Sequence, residues 1–329
     1  MESRLTLAMG NGLLELPETG RILVLNANAA SDLSAFDQDR LQIVQGFFPD
    51  HTTWKSRGYD VQLAPHGTFS AAIVFLPRSK AYARALIADA QHATGGGMVI
   101  VEGQKTDGIG SVATALKKRV ALAGSYSKAH GKLIWFEGGA FDDWAAQDIK
   151  VANGFVTRPG VFSADAPDKG SLALLEALPD MKGKGADLGA GWGFLAHAIL
   201  RSDAVTELHL VEADHTALDC ARRNVTDPRA AFHWDDATSW GKGLGLNFVV
   251  MNPPFHSGRT GDPDLGRAFI AAAAKILAPS GQLWMVANRH LPYETALNAL
   301  FRHVSEAGGT SGFKVLHAVR PRSKPLAMP

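Results

Sequence analysis

The sequence predicts an α/β protein built from two tandem, doubly wound Rossmann-like units, residues 1–150 and 151–329. Three observations carry that prediction. A chain of 329 residues suits two domains of ordinary size. Short apolar runs alternate with segments of helical spacing through both halves, the pattern of βα units on a mostly parallel sheet. A glycine-rich turn follows the first strand of the second half, and the first half has none at the corresponding place.

In chain order, Arg21 to Ala27 is an apolar run that reads as a buried strand. Ser70 to Pro77 is a second strand, stopped by its proline. Ser79 to Thr94 is helical, with Tyr82, Leu86 and Ala90 on one face and three glycines ending it. Met98 to Val101 is a strand, Thr106 to Val120 a helix and Lys132 to Phe136 a strand. Val151 to Lys169 is the connector, broken by Pro159, Gly160 and Pro167. In the second half, Ala186 to Leu188 is a strand and Phe194 to Arg201 a helix. Glu207 to Val211 is a strand, Thr216 to Val225 a helix, and Ala230 to Trp234 and Phe248 to Met251 are strands. Leu265 to Leu277 is a helix, Pro279 to Gly281 a turn, and Gln282 to Ala287 a strand. The alternation of Phe313, Val315, His317 and Val319 predicts a final edge strand.

Composition sets the outer limits. With 46% hydrophobic and 20% charged residues, the chain is neither disordered, coiled-coil nor collagen-like. A single cysteine, Cys220, excludes a disulfide framework and a thiolate zinc site, and its helical neighbours make it packing. The histidines lack a clustered ligand spacing, so no metal is expected. No apolar run nears the roughly 20 residues of a membrane span, and no signal peptide is read at the start, so a cytoplasmic protein is expected. Net charge is +1, and the two halves carry 15 basic against 15 acidic and 18 against 17 residues. Global charge therefore announces no nucleic-acid partner, and a local basic patch would be needed.

The chemistry sits in the second half. Asp187-Leu188-Gly189-Ala190-Gly191-Trp192-Gly193 ends a strand and opens a helix. Glycines let the backbone turn sharply and approach a ligand, and the helix start offers free N–H groups. The acid before the first glycine disfavours a phosphate ligand. It suits a molecule carrying an ammonium and a carboxylate together, as the methionine part of S-adenosylmethionine does. Glu212 ends the next strand and can accept from a ribose diol. Asp235 and Asp236 end the third strand, where a carboxylate can take an adenine amino hydrogen, although adjacent acids in a turn are often merely solvated.

Asn252-Pro253-Pro254-Phe255 follows an apolar strand. Two prolines remove two donors, so the loop presents mainly acceptors. The Asn252 side-chain oxygen and the Pro253 carbonyl can converge on one exocyclic NH₂. Holding both hydrogens exposes the nitrogen lone pair and stabilises the positive charge that develops on attack. Phe255 can stack on the base. Pro254, His256 and Arg259 flank the crevice and are expected to bind the substrate. Arg267, Arg289, His290 and the tail Arg320, Arg322 and Lys324 are weaker candidates for phosphate contact.

Together these motifs resemble class I S-adenosylmethionine-dependent methyltransferases acting on exocyclic or amide nitrogens. Pro159-Gly160-Val161-Phe162-Ser163, Asp168-Lys169-Gly170-Ser171 and Ala287-Asn288-Arg289-His290-Leu291-Pro292-Tyr293 extend the likeness. They are similar to the small-subunit (16S) ribosomal RNA guanine-N2 methyltransferase family. In the first half, Leu76-Pro77-Arg78-Ser79-Lys80 and Gly103 to Gly108 resemble that family's inactive domain. Lys169, inserted before Gly170, departs from the family's usual linker. The resemblance implies a degenerate first methyltransferase domain, serving substrate binding or support, and a catalytic second one. It implies S-adenosylmethionine contacts at Asp187, Gly189, Ala190, Gly191, Glu212, Asp235 and Asp236, with Phe162 and Ser163 over the cofactor. It implies that Asn252, Pro253 and Phe255 receive guanine N2 of ribosomal RNA or the small subunit, in a cytoplasmic protein with no membrane or metal partner and a monomer as the expected state. Large-subunit RNA, a protein glutamine and DNA adenine are alternative targets. A non-catalytic cofactor- or RNA-binding assembly factor is the alternative outside enzymes.

Overall fold

The computed structural model describes residues 3–254, 256–257, 260–261 and 263–323, the side chains of 256, 257, 260 and 261 excepted. The chain divides into two compact units, Met1–Asp148 with Arg158–Gly160, and Ile149–Thr157 with Val161–Pro329.

The first unit contains β1 (Ile22–Leu25), β2 (Leu41–Val44), β3 (Asp60–Gln62), β4 (Ala71–Phe75), β5 (Met98–Gln104), β6 (Leu122–Lys128) and β7 (Gly131–Phe136). They form one sheet in the order β3-β2-β1-β4-β5-β7-β6. It is parallel through β5 and antiparallel beyond. All four residues of β1 are buried, as an apolar run predicts for a strand covered on both faces. Strands β2, β3 and β6 lie outside the sequence-based expectation. β3 is three residues long, and β6 (LAGSYSK) is an exposed edge whose polar residues break the apolar signal. The helix expected over 106–120 is shorter. Asp107 accepts from the Gln104 amide at 3.0 Å, and Gly108 turns left-handed at φ +81°. The helix therefore begins only at Ile109, runs to Leu116, and follows a 3₁₀ turn.

The second unit repeats the arrangement. Strands β8 (Gly183–Leu188), β9 (Val205–Glu212), β10 (Ala230–Trp234), β11 (Leu246–Met251), β12 (Leu277–Asn288), β13 (Phe301–Gly309) and β14 (Phe313–Pro321) lie in the order β10-β9-β8-β11-β12-β14-β13. The alternation over 313–319 does mark a strand, but β14 pairs on both sides, with β12 and β13. The true edge is β13, where only Phe301 is buried. Residues 279–281 do not form a separating turn. The pairing slips between Leu246 and Phe248, whose partners are Leu277 and Gln282, so β12 runs on past them.

The helices of this unit that bear on the site are α1 (Lys169–Ala177), α2 (Phe194–Ile199), α3 (His215–Asn224) and α4 (Pro263–Ile276). Side chains alternate across the sheet. Ala186, Leu188, Val249 and Met251 pack with Phe269, Ile270 and Ala273 of α4 on one face. Leu208, Leu210, Phe248 and Val250 pack with Leu174, Leu195, Ala196 and Ala221 on the other. Each fully buried aliphatic side chain contributes about 1.5–3 kcal/mol. The two layers together hold the strand ends in register, so Leu188 lies beside Val211 and Met251. The strand order reverses between β8 and β11, and in an open α/β sheet that is where a ligand crevice forms.

Candidate active site

Gly189 follows β8 and already turns left-handed at φ +76°, while its amide donates to the Val211 carbonyl at 2.9 Å. The turn then needs left-handed backbone at Gly191 (φ +55°) and Gly193 (φ +88°). The two glycines differ in purpose. A Cβ on Gly191 would meet nothing within 4 Å, so the open space there belongs to the crevice. A Cβ on Gly193 would lie 2.8 Å from Val225 Cγ2 and 3.3 Å from Ala221 Cβ, so this glycine lets α2 start hard against α3. Trp192 is buried and packs on two aromatic rings, Phe155 at 5.2 Å and Phe194 at 5.5 Å, in a cluster that also holds Cys220.

Asp187 ends up beneath this turn with no solvent exposure. Neither carboxylate oxygen makes a hydrogen bond of good geometry among the described residues, although the Ala196 amide is near enough to favour its charged form slightly. Burial, and then the nearby charge of Glu212, push its carboxyl up to about 7. A buried carboxylate held so weakly is costly, and a cation reaching it through the turn would relieve that cost.

Glu212 closes the turn from the next strand. Its Oε2 accepts from the Gly191 amide at 2.7 Å and its Oε1 from the Asp214 amide at 2.8 Å. Burial is the main cause raising its carboxyl to about 7. A carboxylate offers about four acceptor positions, so these bonds and the nearby Ala213 amide still leave capacity for a hydroxyl. Asp214 caps α3, accepting from the Thr216 amide at 2.8 Å. Asp235 follows β10, and its amide donates to the Glu212 carbonyl at 3.2 Å. Asp236 is engaged locally: its Oδ1 accepts from the Thr238 amide at 2.8 Å and hydroxyl at 2.7 Å.

Asn252 lies at the end of β11, one residue past Met251 and level with Gly189. Its Nδ2 donates to Asp168 Oδ2 at 2.8 Å and to Ser171 Oγ at 2.9 Å. Among the described residues nothing donates to its Oδ1. Pro253 is buried and Pro254 exposed. Phe162, Ser163, Asp168, Ser171, the turn from Gly189 to Trp192, and Asn252 line one crevice, with a cavity volume of about 40 Å³. Phe162 is 65% exposed at its mouth, and Ser163 adopts φ +51°. The structure thus brings together residues of the connector, the glycine turn and the asparagine strand end. Phe255, Arg259, the side chain of His256 and Lys324 lie outside the described residues.

Among the weaker candidates, Arg289 is occupied: it donates to Glu306, Thr310 and Phe313 and ties the β13–β14 hairpin. Arg267 pairs with Asp264 on its own helix. The contact of Asp168 and Ser171 with Asn252 lies outside the sequence-based expectation. Its traces in sequence are the Asp168-Lys169-Gly170-Ser171 motif itself and the helix-capping pattern of an acid three residues before a serine.

The first unit shows the same scaffold without the chemistry. Leu25 pairs with Val44 and Val74 as Leu188 pairs with Val211 and Met251. Val24, Asn26, Gln45 and Phe75 therefore stand where Asp187, Gly189, Glu212 and Asn252 stand. Asn26 even keeps the left-handed turn, at φ +61°. Gln45 Oε1 accepts from the amide two residues on, at 2.9 Å, as Glu212 does. Both carboxylates and the asparagine are gone.

No described helix is long and apolar enough to cross a membrane, and no group of three or more potential metal ligands is found among the described residues.

Residues 152–317 match the methyltransferase small domain family. A Pseudomonas paraeruginosa protein described as ribosomal RNA small subunit methyltransferase C is 31% identical over 294 residues, 83% of this chain and 84% of its own. A Shewanella protein (strain MR-7) of the same description is 28% identical over 320 residues, 90% and 93% of the two chains. Among solved structures, a T. thermophilus 16S rRNA N2 guanine methyltransferase in complex with AdoMet and guanosine superposes with a TM-score of 0.76. The match covers 93% of this chain and 90% of that one at 22% identity, and it shows a shared fold.

Proposed function

The chain belongs to the small-subunit ribosomal RNA methyltransferase C family, with the methyltransferase small domain in its second half, and from that premise we propose that it methylates the exocyclic N2 of a guanine in 16S ribosomal RNA. Its methyl donor is S-adenosylmethionine, which supplies an electrophilic methyl on a sulfonium and leaves as S-adenosylhomocysteine. The observation that carries this reading is one juxtaposition. A buried carboxylate, Asp187, lies beneath a glycine turn, and level with that turn stands an asparagine whose side-chain oxygen has no donor among the described residues.

The residues fit the donor. Asp187 is the group for its ammonium, and the open side of Gly191 admits backbone approach. Glu212 is the group for the ribose hydroxyls and Asp235 for the base. Phe162 and Ser163 form the outer wall. On the acceptor side, Asn252 Oδ1 and the Pro253 carbonyl take the two N2 hydrogens. The amine lone pair, otherwise shared with the ring, is then directed at the methyl carbon. The new N–C bond forms as the C–S bond breaks, and the N2 proton, acidified by the transfer, passes to solvent. No strong base is needed before attack. Two acceptors in a crevice of low dielectric stabilise the charge that develops on nitrogen. The target base must leave its stack to reach this crevice.

The experiment is methyl transfer from labelled S-adenosylmethionine to small subunits, large subunits, protein-free ribosomal RNA and duplex DNA, with products identified by nucleoside mass spectrometry. N2-methylguanosine in 16S RNA alone is the expected product. The same product only in large-subunit RNA keeps the chemistry and overturns the target. Methyladenine in DNA, or no nucleoside product, overturns the reading.

A further inference from the structure

We propose that Asp168, with Ser171, is a positioning residue that decides which end of the Asn252 amide faces the methyl-accepting nitrogen. The inference rests on the reading above, because it deepens the role given there to Asn252.

A side-chain amide has two unlike ends of nearly the same shape: one only accepts hydrogen bonds and the other only donates. Only the carbonyl end can take a hydrogen from an exocyclic amine. Turned over, the same side chain would set its own N–H groups against those of the target, donor against donor. Something must therefore hold the amide in one orientation before the base arrives.

Asp168 does so by its chemistry. A carboxylate can only accept, so the amide end within its reach must be the NH₂. Nδ2 of Asn252 lies 2.8 Å from Asp168 Oδ2 and 2.9 Å from Ser171 Oγ, which uses both amide hydrogens. Oδ1 is thereby turned away from the connector, with no donor to it among the described residues.

Asp168 is itself held. It is the N-cap of α1, and the same Oδ2 accepts from the Ser171 amide at 3.0 Å. Ser171 is 8% exposed, and its first-turn position brings its hydroxyl to the same place. Gly170 between them is sterically required: a Cβ there would lie 2.9 Å from Asp168 Oδ2 and 3.2 Å from the Phe313 ring. One helix start thus serves two ends. It satisfies its own amides, and it sets the orientation of a side chain 81 to 84 residues away in sequence. The insertion of Lys169 leaves this device intact, since Lys169 opens the helix that Asp168 caps.

The capping role and the positioning role can be separated. Serine caps as well as aspartate but is shorter, so Asp168→Ser keeps the helix start and withdraws the carboxylate from Asn252. Asp168→Asn keeps both the cap and an acceptor oxygen. Single-turnover methyl transfer to unmodified small subunits would be measured beside S-adenosylmethionine affinity by calorimetry and the melting temperature. Asp168→Ser is expected to slow transfer about 10- to 100-fold, the worth of a hydrogen bond to a charged group, with cofactor affinity within about 3-fold and melting unchanged. Asp168→Asn should recover most of the rate. In an Asn252→Ala background, adding Asp168→Ser should cost nothing further, because the side chain it positions is absent. Full activity of Asp168→Ser, or the same fractional loss with and without Asn252, overturns the proposal while leaving the function standing. Full activity of Asn252→Ala alone overturns the functional reading, and this one with it.

Discussion

Asp187→Asn is expected to stabilise the ligand-free protein above neutral pH while destroying cofactor binding. The wild-type carboxyl is fully buried, lacks a hydrogen bond of good geometry among the described residues, and is raised from 3.8 to about 7. Such a rise corresponds to about 4 kcal/mol between its protonated and ionised states. The sign follows from linkage. The folded pKa lies above the unfolded one, so between about pH 4 and pH 7 the folded state binds more protons. This group's contribution therefore lowers stability as pH rises through that window, and its full cost is present above it. Asparagine has nearly the same shape and no charge, but it buries an unpaired amide at about 1–3 kcal/mol. The net expectation at pH 8 is a gain of about 1–3 kcal/mol, falling to nothing or reversing at pH 4. Urea unfolding of both proteins at the two pH values measures it directly. Calorimetry with S-adenosylmethionine should show at least about 100-fold weaker binding by the variant, as expected for loss of a buried charge pair. A stability difference that does not change between pH 4 and pH 8 would refute the reasoning.

Other outcomes follow from the same geometry. Pairing with an ammonium should draw the Asp187 carboxyl back down, so cofactor binding releases a proton below pH 7. Wild-type affinity should then tighten about 10-fold from pH 6 to pH 8, and a flat profile by calorimetry would contradict the pairing. Asn252→Ala should leave cofactor affinity within about 2-fold and lower the single-turnover rate about 100-fold or more, by loss of one charge-stabilising acceptor. Gly193→Ala should destabilise by about 1–3 kcal/mol in urea unfolding, from strained backbone and a clash with Val225. Gly191→Ala carries the same backbone strain, about 1–2 kcal/mol, but meets no neighbour, so its unfolding cost should be the smaller and its larger effect should appear in cofactor affinity; a greater unfolding cost than that of Gly193→Ala would contradict the division of roles.

Much of the second unit was legible because its central strands are buried on both faces. β11 reads as an apolar run, whereas β8 is marked less by its own residues than by the turn after it, which announces itself through glycines that its backbone angles require. Edges were not legible. β13 exposes most of its side chains and carries Arg302, His303 and Glu306, so neither alternation nor an apolar run marks it. The strand β14 beside it was found, but its place in the sheet depends on that unseen neighbour. In the candidate site, Asp187, the glycines and Asn252 were visible through local motifs. What Glu212 does in the fold was not, since its bond to the Gly191 amide depends on how two strand ends meet. The contact of Asp168 with Asn252 spans 84 residues, and only folding brings those partners together.

The most direct test of the central claim is single-turnover methyl transfer to unmodified small subunits, wild type beside Asn252→Ala, with the 16S RNA digested to nucleosides and analysed by mass spectrometry. The account predicts N2-methylguanosine from the wild type and almost none from a variant that still binds S-adenosylmethionine. A different methylated nucleoside, or equal product from both proteins, would contradict it.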